Sequence, residues 1–352
     1  MIYKLGQVCS RLSSGKSISS RLISSKGTFP VYGGNGLRGY TEKYNFDGEC
    51  AIIGRQGAFC GNVRFFSGKA YMTEHAIVVC ADDKNDTRYL AYLLSLLHLG
   101  RLSGQSAQPG LSVKVLSQQE IDLPDLECQK KVSMVLSLLE KKISLNEMIN
   151  RNLSEQVAAI YKAWFVDFET NNGICPDDWT DGILGDIAEI ASGKRPPLKQ
   201  NNKTDDVCIP IVGAASIMGY TNAVLYDSKI LVTGRVGTHG VIQRFNQGCW
   251  PSDNTLVITT ERYEFVNQIL LGVDYKSMNR GSTQPLITQG DLKKIEIILP
   301  NDAVLDEFEN LAGGLMSQYE KNVKENAELS ELRDSLLPKL MSGELDVSEI
   351  DF

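Results

Sequence analysis

From Glu127 to Phe168 the chain reads ECQKKVSMVLSLLEKKISLNEMINRNLSEQVAAIYKAWFVDF, a stretch with neither Pro nor Gly. Its apolar residues Val132, Leu136, Leu139, Ile143, Ile149, Leu153, Val157, Ile160 and Trp164 stand three, four or seven apart with one gap of six, the spacing of a helix seam. At 1.5 Å per residue, about forty residues make a rod of roughly 60 Å, far longer than most globular helices. A rod with an apolar seam needs a partner to cover it.

The pattern returns between Val304 and Leu340 at a shift of 176. Val132 falls on Phe308, Val135 on Leu311, Leu139 on Leu315, Leu153 on Leu329, Ile160 on Leu336 and Trp164 on Leu340. Asn146 falls on Asn322 and Asn150 on Asn326, and a buried Asn lowers coiled-coil stability but fixes register. Two helices packed along their length are therefore expected, with those residues in the seam.

Working outward, the segments flanking the helices repeat as well. Leu5-Gly6 returns as Leu184-Gly185, Ser14-Gly15-Lys16 as Ser192-Gly193-Lys194, and Gly39-Tyr40-Thr41 as Gly219-Tyr220-Thr221. Gly54-Arg55-Gln56-Gly57 returns as Gly234-Arg235-Val236-Gly237 at a shift of 180, Gln108-Pro109 as Gln284-Pro285, and Ile121 to Pro124 as Ile297 to Pro300. Repeats in one order at a nearly constant shift mark duplicated units. Short apolar runs bounded by Gly, Asn or Asp, such as Ala51 to Ile53 and Ile230 to Val232, read as strands.

The expected fold is mixed α/β (α+β), with two lobes and two long helices forming an antiparallel coiled coil about a pseudo-two-fold axis. The lobes span 1–126 and 183–303, the helices 127–168 and 304–344, the linker 169–182 and an acidic tail 345–352. That geometry would send the lobes to opposite ends of a rod.

The net charge of -7 argues against nucleic acid until it is divided along the chain. Residues 1–126 hold 14 Lys and Arg against 10 Asp and Glu, and residues 190–300 hold 12 against 9, whereas residues 301–352 hold 4 against 13. Both lobes are mildly basic, and most of the acidity sits on the last helix and tail. No apolar run approaches membrane-spanning length and the N-terminus lacks the apolar core of a signal peptide, so a cytoplasmic location and no membrane partner are expected.

The eight cysteines stand singly, with no C-x-x-C and no His at ligand spacing, which disfavours zinc and disulfide frameworks. Gly15-Lys16-Ser17 resembles the end of a phosphate loop, but the glycine required five positions earlier is Ser10. No Asn-Pro-Pro-aromatic segment of the kind that orients an amine for methylation occurs. No catalytic residue, metal or cofactor is expected on this chain.

The lobes instead carry loops in which Arg, Lys, Gln, Asn and His stand beside glycines. Such side chains read guanine and adenine edges in the major groove, and glycines let backbone approach phosphates. The DNA-binding candidates are Lys16, Arg38, Arg55, Gln56, Asn62 and Arg64 in the first lobe, and Lys194, Arg195, Arg235, His239, Gln243, Arg244 and Arg280 in the second. An Arg beside Gly in a hairpin is also commonly a solvated turn.

Over essentially its full length the chain resembles the specificity subunits of type I restriction-modification systems. The lobe starts, the two Gly-Arg-x-Gly loops, Gly281-Ser282-Thr283-Gln284-Pro285 and the helix endings Ala163 to Phe168 and Leu332 to Gly343 carry the likeness. The resemblance implies two target-recognition domains, each reading half of an interrupted, asymmetric site on double-stranded DNA. It further implies helices that space the domains and dock two methyltransferase subunits bearing S-adenosylmethionine, joined by motor-nuclease restriction subunits using ATP and Mg. A stand-alone DNA-binding regulator or antirestriction competitor is the alternative. A self-contained methyltransferase or nuclease would need catalytic motifs the chain does not show.

Overall fold

The computed structural model describes residues 1–104, 110–278 and 286–350. Its helices, in chain order, are α1 (Thr87–Leu96), α2 (Val113–Ser117), α3 (Leu126–Phe165), α4 (Tyr263–Gly272), α5 (Gln289–Lys293) and α6 (Asp302–Ser342). The fold is mixed α/β and divides into two compact units, Met1–Asn146 with Lys324–Phe352, and Glu147–Val323. Each unit holds one lobe, a part of α3 and a part of α6.

In the first unit a six-stranded sheet runs in the order Cys9–Ser14, Ala76–Ala81, Phe46–Gly54, Val63–Met72, Phe29–Gly33, Gly36–Thr41. Neighbours are antiparallel except Phe29–Gly33 against Val63–Met72. The apolar run Cys50 to Ile53 is buried on both faces, as an unbroken hydrophobic strand should be. Ala51 and Ile53 join Ile77, Val79 and the α1 residues Tyr89, Leu90 and Leu94, while Cys50 and Ile52 join Phe46, Met72 and Val78 on the other face. Asp86 caps α1 by accepting the Tyr89 amide at 2.6 Å.

In the second unit Glu189–Ser192, Thr255–Thr259, Ile230–Gly234 and Gln243–Phe245 form an antiparallel sheet. Ile217–Thr221, Ile209–Val212 and Trp250–Pro251 form a second. The strand order is that of the first unit, but the counterpart of Val63–Met72 is broken into Gln243–Phe245 and Trp250–Pro251. Each unit also pairs its first strand with a late one, Ile2–Lys4 with Glu120–Asp122 and Thr180–Ile183 with Glu296–Leu299.

A constant shift of 180 does not survive the Gly-Arg loop. Gly57 and Gly237 are left-handed at φ 79 and 84, and the next left-handed pair, Gly61 and Gly240 at φ 85 and 79, is offset by 179. The second loop is one residue shorter. Accordingly Ala51 pairs with Phe65 and Ile52 with Arg64, whereas Leu231 pairs with Arg244 and Val232 with Gln243. Because side chains alternate along a strand, one residue decides which face each occupies.

The helix seam is resolved within each unit. In the first, Val132 and Leu136 share a core with Leu336 and Leu340, with Leu139 and Leu329 half-buried nearer the asparagines. Asn146 Nδ2 donates to Asn326 Oδ1 at 2.8 Å, and Asn326 Nδ2 donates to the Ile143 carbonyl at 3.2 Å. Rising numbers on α3 meet falling numbers on α6, so the pairing is antiparallel. In the second unit Val157, Ile160 and Trp164 pack with Phe308 and Leu315, with Leu153 half-buried. Asn322 Nδ2 donates to Asn150 Oδ1 at 2.8 Å and Asn150 Nδ2 to the Tyr319 carbonyl at 3.2 Å. The 176-residue shift maps each of these four bonds onto its mate.

Some expectations need correction. Ile149 is 38% exposed because Asn146 and Asn150 hold the seam positions beside it, and Leu311 is 45% exposed because Phe308, Ala312 and Leu315 hold them on the other helix. Helix α3 stops at Phe165 rather than Phe168: the Val166 and Asp167 amides both turn back to the Lys162 carbonyl, and Phe168 is left-handed at φ 52. Helix α6 stops at Ser342, with Gly343 left-handed at φ 74. The tail is not free, since Val347 is buried in the first unit's core and Lys131 Nζ donates to the Ser348 carbonyl at 2.6 Å.

Candidate nucleic-acid interface

The repeated glycines stand where backbone meets backbone. A Cβ on Gly15 would lie 2.1 Å from the Met72 carbonyl oxygen, and one on Gly193 would lie 2.2 Å from that of Ser252. For Gly54 and Gly234 the distances to the Phe59 and Thr238 carbonyl oxygens are 2.2 and 1.9 Å. Only glycine fits there. The loops are then clamped by matching bonds. Arg55 N donates to His75 O at 2.9 Å and accepts Leu111 N at 2.8 Å through its carbonyl; Arg235 does the same with Asn254 at 2.8 Å and Ile287 at 3.0 Å. Lys16 N and Lys194 N donate to Met72 O and Pro251 O, each at 2.9 Å.

On the first unit this framework brings loops 15–16, 33–38, 55–56 and 72–76 together. Lys16, Arg38, Gln56, Asn62 and Arg64 are exposed and Arg55 is half-buried. Arg38 lies against Gly33, its Cδ 2.7 Å from where a Cβ would stand, and the Arg64 guanidinium lies similarly close to Gly36. Burial pushes the Tyr32 phenol up, Tyr40 adds to this, and neighbouring Arg64 opposes it. Gln56 Oε1 is 3.2 Å from His75 Nδ1, and His75 Nε2 is 3.4 Å from Glu74 Oε1. Among the described residues Lys16, Arg38, Arg55 and Arg64 have no carboxylate partner. Unpaired cations beside an oriented amide suit phosphate positioning and base-edge contact.

The second unit keeps only part of this set. Lys194 and Arg195 are exposed and Arg235 is half-buried, none paired with a carboxylate among the described residues. Arg244, expected on the DNA face, points inward: Nη1 and Nη2 donate to Glu264 at 2.6 Å each, Nη2 reaches Glu320 at 3.2 Å, and the guanidinium sits 4.8 Å from the Tyr263 ring. The physical reason is the shorter loop, which puts Arg244 where the first unit has Phe65, on the helix-facing side. There Arg88 stacks 3.8 Å over Phe65; here Glu264 replaces Arg88 and captures Arg244. Gln243 takes Arg64's place, half-buried, its amide donating to Gly213 O at 2.8 Å. His239 Nδ1 turns back to Gly234 O at 3.1 Å and its Nε2 is buried. Arg280, Gln108-Pro109 and the 281–285 motif lie outside the described residues.

The sequence reading missed His75, whose place beside Gln56 depends on the strand end, and missed its counterpart Asn254. Each lobe is also tied to the long helices within its own unit. Ser133 Oγ donates to Asp86 and Tyr92 to Glu140 in the first; Glu309 accepts the Glu264 and Phe265 amides and Arg262 pairs with Asp302 and Asp306 in the second. Among the described residues no group of His, Cys, Asp and Glu could hold a metal, and no helix is long and apolar enough to cross a membrane.

Comparison with known proteins gives one consistent result. The family model described as type I restriction modification DNA specificity domain matches residues 1–155 and again 176–322. The specificity subunit of the Escherichia coli type I restriction enzyme EcoprrI is 36% identical over 136 residues, 38% of this chain and 34% of that protein. The MjaIX specificity subunit of Methanocaldococcus jannaschii is 27% identical over 304 residues, 75% of this chain and 70% of that protein. A crystal structure of the type I restriction-modification S subunit from M. genitalium shares the fold, with a TM-score of 0.69 at 16% identity over 97% of this chain and 95% of that one.

Proposed function

The chain belongs to the family of type I restriction-modification DNA specificity domains, and from that premise we propose that it reads an interrupted, asymmetric site on double-stranded DNA for partner subunits that act on it. The observation carrying this reading is the Gly-Arg-x-Gly loop. Both units hold it between the same strands, by the same backbone bonds, with an Arg that has no carboxylate partner among the described residues beside a residue that differs, Gln56 or Val236. Two such loops on one chain read two half-sites, and different residues beside them make the halves unequal. A wrong base pair in either half then costs about 1–3 kcal/mol.

Two methyltransferase subunits would dock on the paired helices and supply S-adenosylmethionine and adenine methylation. A restriction subunit would supply ATP- and Mg-dependent translocation and cleavage. This chain's own work is discrimination, in the cytoplasm. The test is to map methylated adenines across the host genome with and without the chain. Loss of one interrupted, asymmetric motif supports the reading, whereas an unchanged map alongside specific DNA binding favours a stand-alone regulator.

A further inference from the structure

Matching the two faces by structure, with the one-residue offset included, exposes a systematic difference. Arg38 and Met218 occupy the same place: each lies against the equivalent glycine of its hairpin, Gly33 or Gly213, where Met218 Sδ is 3.3 Å from a Cβ position. Gln56 corresponds to Val236, both bridged to the segment after the loop, at Gly110 and Leu286. Beyond the shortened loop Asn62 corresponds to Val241 and Arg64 to Gln243. Four polar or cationic positions of the first face have thus become three apolar ones and a neutral amide already bonded to Gly213. The apolar residues are not hidden: Met218 is 39% and Val241 38% exposed, and Val236 is half-buried. Apolar side chains standing where the first face has polar ones gain by being covered with an apolar group.

We propose that the two half-sites are read by different chemistry, the first by charged and amide hydrogen bonding and the second by apolar contact of Met218, Val236 and Val241 with thymine C5-methyl groups in the major groove. This rests on the DNA-reading function proposed above. Of the groups a base pair presents in the major groove, the thymine methyl is the apolar one. Lys194, Arg195 and Arg235 remain to position the backbone. The first half-site, facing four unpaired cations, draws its recognition from guanine and adenine acceptor edges.

The test uses the full chain, purified from its host with whatever subunits accompany it, and duplexes carrying its motif. Deoxyuridine, which lacks only the C5-methyl, replaces thymidine in one half at a time. Affinity should fall about fourfold per contacted methyl in one half alone. Met218→Ala with Val236→Ala should weaken binding to the thymine duplex and abolish most of the uracil penalty in that half. Equal uracil effects in both halves, none in either, or a second half-site without thymine would overturn the proposal while leaving DNA reading intact. If scrambling both halves leaves binding unchanged, the DNA-reading function itself fails.

Discussion

Replacing Arg244 with Ala should unfold the second unit at much lower denaturant without touching the first. Arg244 is 12% exposed and Glu264 1% exposed, so removing the guanidinium leaves a carboxylate in the interior with neither of its two 2.6 Å partners. Breaking a buried pair from one side costs about 3–5 kcal/mol, most of it the isolated charge. With a slope near 2 kcal/mol/M in urea, the midpoint should drop by about 1.5–2.5 M. The chain supplies its own probe, because its three tryptophans, Trp164, Trp179 and Trp250, all lie within the second unit. Tryptophan fluorescence should report the shifted transition. Arg244→Met combined with Glu264→Leu, which removes both charges and keeps the volume apolar, should recover most of the loss. A single variant less than about 1 kcal/mol down, or a double variant as unstable as the single, would refute the account of Arg244 as an internal tie rather than a DNA contact.

Further outcomes follow from other contacts. Asn322→Ala should cost about 1–3 kcal/mol, since Asn150 Oδ1 loses its buried donor, while leucine at both Asn150 and Asn322 should raise helix stability and loosen register, measurable as mixed cross-links from cysteines placed on α3 and α6. Gly234→Ala, with a Cβ 1.9 Å from the Thr238 carbonyl oxygen, should displace the Gly-Arg loop and relax recognition in one half-site only, with little change in the other when binding is assayed on half-mutated duplexes. Burial raises the Glu309 carboxyl above its ordinary range, against the opposing pull of the Phe265 and Glu264 amides. The folded chain therefore holds that proton more tightly, and the associated stability, full below the unfolded carboxylate value, is lost as pH rises through the raised folded value. Glu309→Gln should flatten this decline in urea midpoints as pH rises above the ordinary carboxylate range, and parallel curves for the two proteins would refute it.

The long helices were legible because a seam written every three or four residues leaves little alternative, and the matched asparagines because they interrupt it at the same points. Gly15, Gly54 and their mates were legible as repeats, and the reason lies in carbonyl oxygens that leave no room for a Cβ. Arg244 was misread because nothing next to it in the sequence shows that the preceding loop has lost a residue; strand pairing puts it where the first unit has Phe65, facing Glu264 in the place of Arg88. Ile149 was misread because two asparagines, not the aliphatic residue between them, face the partner helix. Met218 and Val236 escaped notice because apolar side chains do not signal DNA contact by themselves, and His75 because no glycine stands beside it in the sequence. Their meaning comes from the positions they share with Asn254, Arg38 and Gln56.

The loop that is one residue shorter in the second unit bears on how such a protein could change what it reads. Because the hydrophobic alternation of a strand has a period of two, adding or removing a single codon between Gly57 and Gly61, or between Gly237 and Gly240, exchanges the set of side chains presented outward for the set presented inward. The central strand, the clamped glycines and the helix seam need not change. A three-nucleotide slip can therefore remodel the loop-bearing face of one unit in a single mutational step, where residue-by-residue substitution would need several, and the other unit is left as it was.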